Sequence, residues 1–157
     1  TWNPYVDVFY NAAGGSTVVL GKRTGGTRVS FGVVPTVNWQ KYIGIPLTVS
    51  APTWITVGDT SFWNRQDGTT NLCGSTSTSP CATNSVGYYS TGLQAKLSIA
   101  DTIIPKRLGS WYLKAGVQYY HLQNDALLAA QATTVGLTFP NAKRDIVVGS
   151  GGLGFSF

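Results

Sequence analysis

The sequence predicts an all-β fold, an antiparallel β-barrel, on three observations. Six segments alternate apolar and polar residues with a period of two. Only 11% of the 157 residues are charged, against roughly 25% in a soluble globular domain. No apolar run reaches the ~18 residues of a spanning helix, and mean hydropathy is only +0.04. Low charge without long apolar runs suits a wall whose two faces meet different solvents, because the alternating positions average out. A soluble sandwich or lipocalin-like barrel shares the period, so the strands and their connections must discriminate.

The first strand, 2–11, sets Trp2, Pro4, Val6, Val8 and Tyr10 on one face and Asn3, Tyr5, Asp7, Phe9 and Asn11 on the other. A glycine-punctuated connection, 12–27, leads to the second strand, 28–39. There Val29, Phe31, Val33, Pro35, Val37 and Trp39 point outward, and Arg28, Ser30, Gly32, Val34, Thr36 and Asn38 inward. After the short connection 40–44, the third strand, 45–59, carries Ile45, Leu47, Val49, Ala51, Thr53, Ile55 and Val57 on one face. The polar segment 60–85 is too long for a tight turn. The fourth strand, 86–100, alternates Tyr89, Thr91, Leu93, Ala95, Leu97 and Ile99 with Tyr88, Ser90, Gly92, Gln94, Lys96 and Ser98. A compact turn precedes the fifth, 110–123, whose outer Trp111, Leu113, Ala115, Val117 and Tyr119 back onto Tyr112, Lys114, Gly116, Gln118 and Tyr120. The last long connection, 124–144, holds an Ala-rich stretch, 125–132, that reads as a turn or two of helix. Pro35 and Pro52 fall in mid-strand, where a missing N–H removes a ladder bond, so either those strands bend or one has an unpaired side.

The sixth strand, 145–157, places Val147, Gly149, Gly151, Leu153, Phe155 and Phe157 on one face, with Val148, Ser150, Gly152, Gly154 and Ser156 on the other. This pattern resembles the terminal strand of bacterial outer-membrane β-barrels, whose final Phe and alternating apolar positions are read by the barrel assembly machinery. The resemblance extends, through the alternation alone, over the whole chain. It implies a transmembrane β-barrel in the bacterial outer membrane, surrounded by lipid and lipopolysaccharide, with Phe157 engaging the assembly machinery.

Two regularities separate a membrane barrel from a soluble one. Connections run long, short, long, short, long, which sorts every long loop to one end. Outward aromatics also recur eight residues apart: Trp2 and Tyr10, Phe31 and Trp39, Trp111 and Tyr119. Trp2, Trp39, Trp111, Phe155 and Phe157 are expected to ring the periplasmic border, and Tyr10, Phe31, Tyr89 and Tyr119 the outer one. Six strands are fewer than the ~8 of a closed barrel with a filled interior. The expectation is a single domain, 1–157, forming the carboxyl-terminal part of a larger barrel, or one of several copies sharing a barrel.

Cys73 and Cys81, in a Ser- and Thr-rich loop, read as a disulfide of an oxidising compartment or as two free thiols. With one His they do not complete a tetrahedral metal site, and no cofactor is implied. The formal charge of +5 is scattered rather than striped, which argues against nucleic acid. The sole candidate base, His121, falls on the outward face, and neither Glu nor a recognisable nucleophile accompanies it, so an enzyme is not expected. The informative face is the inner one. Arg28, Lys96, Lys114, Asp7, Gln94, Gln118 and Tyr112 line it, and charges there imply a wetted interior or close ion pairing. The expected function is a passive channel or transporter for small solutes, with anions favoured if Lys96 and Lys114 stand unpaired and no such preference if acidic residues of further strands pair with them. The alternative is a structural or assembly barrel, packed against copies of itself or a partner protein, with no open pore. Loop residues Lys22, Arg23, Arg65, Lys143 and Arg144 either hold lipopolysaccharide phosphates or are simply solvated.

Overall fold

The structure, a computed structural model, describes residues 1–10, 27–63, 66–67, 70–71, 81–99, 109–134 and 143–156. Its strands are β1 (Pro4–Tyr10), β2 (Thr27–Val33), β3 (Thr36–Asn38), β4 (Leu47–Ser50), β5 (Thr53–Gly58), β6 (Gln66–Asp67), β7 (Thr70–Asn71), β8 (Val86–Ser98), β9 (Ser110–Leu122) and β10 (Asp145–Ser156). Short helices α1 (Gln40–Ile43) and α2 (Thr60–Trp63) and the longer α3 (Asp125–Thr134) lie between them. The Ala-rich stretch is thus helical, and the long polar segment holds α2 and the small β6–β7 hairpin, which alternation alone does not reveal. No described helix is long and apolar enough to cross a membrane.

Every pairing is antiparallel. β2 and β3 form one expected strand interrupted at Val34 and Pro35, and β4 and β5 another interrupted at Ala51 and Pro52. With each pair taken as one strand, the main sheet is a meander in chain order from β1 to β10. β1 pairs only with β2, and β10 only with β9, so among the described residues the sheet is open.

Neither proline leaves a strand side unpaired. Val33 faces Thr53 and Thr36 faces Ser50, a constant register across Pro35. Thr53 faces Thr91 and Ser50 faces Gln94, equally constant across Pro52. The Pro35 carbonyl accepts the Ala51 N–H at 2.9 Å, and that of Pro52 accepts the Gly92 N–H at 3.0 Å. Each proline therefore forgoes one bond of a reciprocal pair and keeps the other. The register shift lies elsewhere: Thr56 faces Tyr88 and Val57 faces Val86, which makes Gly87 the extra residue of a bulge.

The two faces are inverted relative to an ordinary soluble sheet. Val8 is 67% exposed, Leu153 60% and Leu93 57%, whereas Thr56 and Ser90 are fully buried. Among the described residues an apolar core forms at one end, the end of the long connections, where Phe62, Trp63, Leu122, Ala126, Leu127 and Leu128 cluster against Tyr88 and Ile146. Asn124 anchors this cap: its Oδ1 accepts the Ala126 N–H at the start of α3, and its Nδ2 donates to the Asn84 carbonyl at 2.9 Å. Trp63 lies across Gly58 and Gly87 and donates its indole N–H to the Ser85 carbonyl at 3.0 Å. At the opposite end Gly44 closes α1 in the left-handed conformation, φ 71°.

A Cβ at Gly87 would enter the Trp63 ring, whereas one at Gly149 meets open space. Gly87→Ala is therefore expected to destabilise the fold by about 1–3 kcal/mol through overpacking, and Gly149→Ala to leave stability in place. Tryptophan fluorescence during guanidinium titration in detergent measures both.

Candidate functional site

The inner face is built from aromatic side chains resting on glycines and from polar side chains bonded to one another. Tyr5 faces Gly32, and Tyr112 faces Gly154; each ring occupies the space a Cβ would need. Trp54 and Tyr88 both pack against Tyr120, at centroid separations of 6.1 and 6.2 Å. The hydroxyls of Ser30 and Thr56 meet at 3.0 Å. Gln118 donates Nε2–H to Ser90 Oγ at 2.6 Å, and Ser90 donates to the Tyr119 carbonyl at 2.7 Å. The Arg28 guanidinium covers the Phe9 ring at 4.6 Å, and Asp7 faces Ser30. This polar seam was not anticipated, because it requires cross-strand register as well as alternation.

Lower on the same face Lys96 stands directly opposite Lys114. Facing like charges destabilise a strand pair. Part of that repulsion is offset by Tyr112, whose ring centroid lies 4.2 Å from Lys96 Nζ and 5.1 Å from Lys114 Nζ. Thr48 faces Lys96, Ser50 faces Gln94, and Gly152 faces Lys114. Thr36, Thr48, Ser50, Gln94, Lys96, Lys114 and Ser150 line a trough of about 310 Å³. Among the described residues no carboxylate pairs with either lysine: Asp125 is bound by Arg144 and Asp145 by His121 and Tyr119. All seven inner-face residues singled out from the sequence lie on this face, but in two regions. Asp7 and Arg28 sit near the capped end, Gln118 lies between, and Gln94, Lys96 and Lys114 line the trough, with the Tyr112 ring against the two lysines.

The outer face carries the aromatic residues. The carbonyls of Thr1 and Asn3 accept from Thr36 and Val34, which sets Trp2 opposite Pro35, four residues above Trp39. Trp39 sits opposite Leu47, on a rung continued by Leu97, Leu113 and Leu153. Trp111 and Phe155, stacked at 5.0 Å, lie two residues below that rung. The upper aromatics repeat these offsets: Phe31 and Tyr89 share a rung through Ile55, Tyr10 lies four residues above it and Tyr119 two below. Both rows thus slide by six residues, ~20 Å, over four strand spacings, ~19 Å. Phe157 and Cys73 lie outside the described residues, as do Lys22, Arg23 and Arg65. Cys81 and Lys143 are exposed. The Arg144 guanidinium pairs with Asp125 and donates to the Leu122 carbonyl at 3.3 Å, so this side chain ties α3 to β10. His121, on the outward face, stacks on Tyr89 at 4.9 Å and shares the Asp145 carboxylate, at 2.7 Å, with the Tyr119 hydroxyl at 2.5 Å. Two outward hydroxyls, Thr53 and Thr91, bond to each other at 2.9 Å.

No family model, no curated protein and no solved structure matches this chain.

Removing the Ser90 hydroxyl strands the Gln118 amide in a buried site. Ser90→Ala is expected to cost about 1–3 kcal/mol. Gln118→Leu in the same chain should recover part of the loss, and a double-mutant cycle by chemical denaturation measures the coupling.

Proposed function

We propose that this chain forms part of the wall of a β-barrel in a bacterial outer membrane, and that the barrel is a passive channel or transporter for small anionic solutes. The observation that carries the reading is the inverted pair of faces, apolar and exposed outside, polar and glycine-lined inside, with the outer one bordered by two aromatic rows. The common slide of those rows supports it further. A level border crosses tilted strands at successively shifted residues, and the observed shift corresponds to a tilt of about 45°, in the range of membrane barrels. Rows fixed by packing in a soluble core have no reason to slide together.

Closure needs further strands, supplied by a longer chain or by other copies. β1 and β10 run in opposite directions, so an all-antiparallel closure adds an even number. In this reading lipid and lipopolysaccharide cover the outer face, Phe157 addresses the assembly machinery, and Cys73 and Cys81 form a disulfide outside the cell. The Thr53 and Thr91 hydroxyls satisfy each other where lipid offers no partner. A second reading, a structural or assembly barrel without an open pore, draws on the apolar cap of α2 and α3, which covers one end of the polar face.

Leu93, midway between the borders on β8, is the test of membrane contact. Leu93→Lys should destabilise the barrel by about 2–4 kcal/mol in lipid vesicles, measured by urea titration. A change within the roughly 0.5 kcal/mol usual for an exposed soluble site would refute membrane insertion. Replacing both Lys96 and Lys114 by Glu should move the bilayer reversal potential under a salt gradient towards cation preference. An unchanged potential would remove the anion reading, and absence of any conductance would favour the structural one.

A further inference from the structure

We infer that Lys96 and Lys114 form a discrete binding site for a dianionic oxyanion, of the size and charge of phosphate or a phosphomonoester, so that anion passage along this wall is saturable. The inference rests on the channel reading above and adds to it a stoichiometry of charge. Two ammonium groups on facing residues of adjacent strands both contact one ring, that of Tyr112, which keeps the two charges near each other. A monovalent anion between them leaves one positive charge unbalanced, whereas a dianion balances both and relieves the repulsion of the facing pair. The surroundings suit oxygen ligands: Thr48, Ser50, Gln94 and Ser150 bring neutral hydrogen-bonding groups to the same trough. Asp7, Asp59, Asp125 and Asp145 do not compete there, since Asp7 and Asp59 lie near the capped end and Asp125 and Asp145 are bound beyond it. The residues that face Lys114 on β10 and Gln94 on β9 are glycines, Gly152 and Gly116, which leave those side chains room. The trough volume of about 310 Å³ is at the small end for ligand sites and suits a small hydrated anion.

The test is made on the protein purified from its native membrane and inserted in planar bilayers. Chloride current is recorded while inorganic phosphate, at a pH where it is chiefly dianionic, is added at constant ionic strength. The expected result is a saturable fall in chloride current. Lys96→Gln or Lys114→Gln should raise the half-blocking concentration at least tenfold, and the double variant should abolish block. Lys41→Gln, on α1, serves as the control and should change nothing. Chloride current that is sensitive to both lysines but indifferent to phosphate would overturn the site and leave the channel reading standing. If no current is seen at all, the channel reading fails, and phosphorus NMR decides the site separately. Line broadening of phosphate by the barrel in detergent, lost in the double variant, would support it, and no broadening would overturn it.

Discussion

The hydrogen-bond ladder running from β1 to β10 is the constraint on which the remainder of the structure depends. An ordinary soluble sheet is held by an apolar core as well as by its ladder. Here the apolar side chains of the main sheet are turned outward, and among the described residues the apolar core gathers under α2 and α3. Cohesion across most of the sheet therefore falls to backbone bonds and to contacts between neighbours on the inner face. That explains why the ladder keeps its register through two prolines, and why the buried residues at mid-sheet are Thr56, Ser90 and Gln118, each able to bond across a strand boundary.

Alternation alone then distributes the chemistry. Because successive side chains point to opposite faces, the same strand supplies Leu93 and Leu97 to the outside and Gln94 and Lys96 to the trough. Register does the rest. A slip of one residue between β8 and β9 would carry Lys114 to the apolar face, and a slip of two would separate it from Lys96. The Gln118 side chain seats over Gly92, its partner on β8, and gives this pairing its specificity, as the rings of Tyr5 over Gly32 and Tyr112 over Gly154 do for the β1–β2 and β9–β10 pairs.

The strands and their faces were legible in the sequence because successive side chains of an extended chain point to opposite faces, and the two faces here differ in polarity. Strand ends agreed closely, and the lysines fell on the expected face. What was not legible depends on pairing over distance. Phe62 and Trp63 look like incidental aromatics in a polar loop. They become core because Gly58 and Gly87 lie side by side beneath the indole and α3 closes over it. That Lys96 and Lys114 face each other, and do not merely occupy adjacent strands, follows from the β8–β9 register, which no local pattern states. Pro35 and Pro52 suggested bends or an unpaired side. Their actual effect was the loss of single bonds, because the partner N–H groups of Ala51 and Gly92 still reach the proline carbonyls.

Those two prolines have a mechanical consequence. Pro35 is joined to β4 through Ala51, and Pro52, the next residue along, is joined to β8 through Gly92. At both positions one bond carries the load that two share elsewhere in the ladder. The weakened positions are consecutive across three strands, so they line up as a perforation. Under bending or lateral tension the sheet yields first along that line, which borders one wall of the trough at Val34, Thr36 and Ser50, while the continuous β8, β9 and β10 ladder, which carries the two lysines, stays rigid.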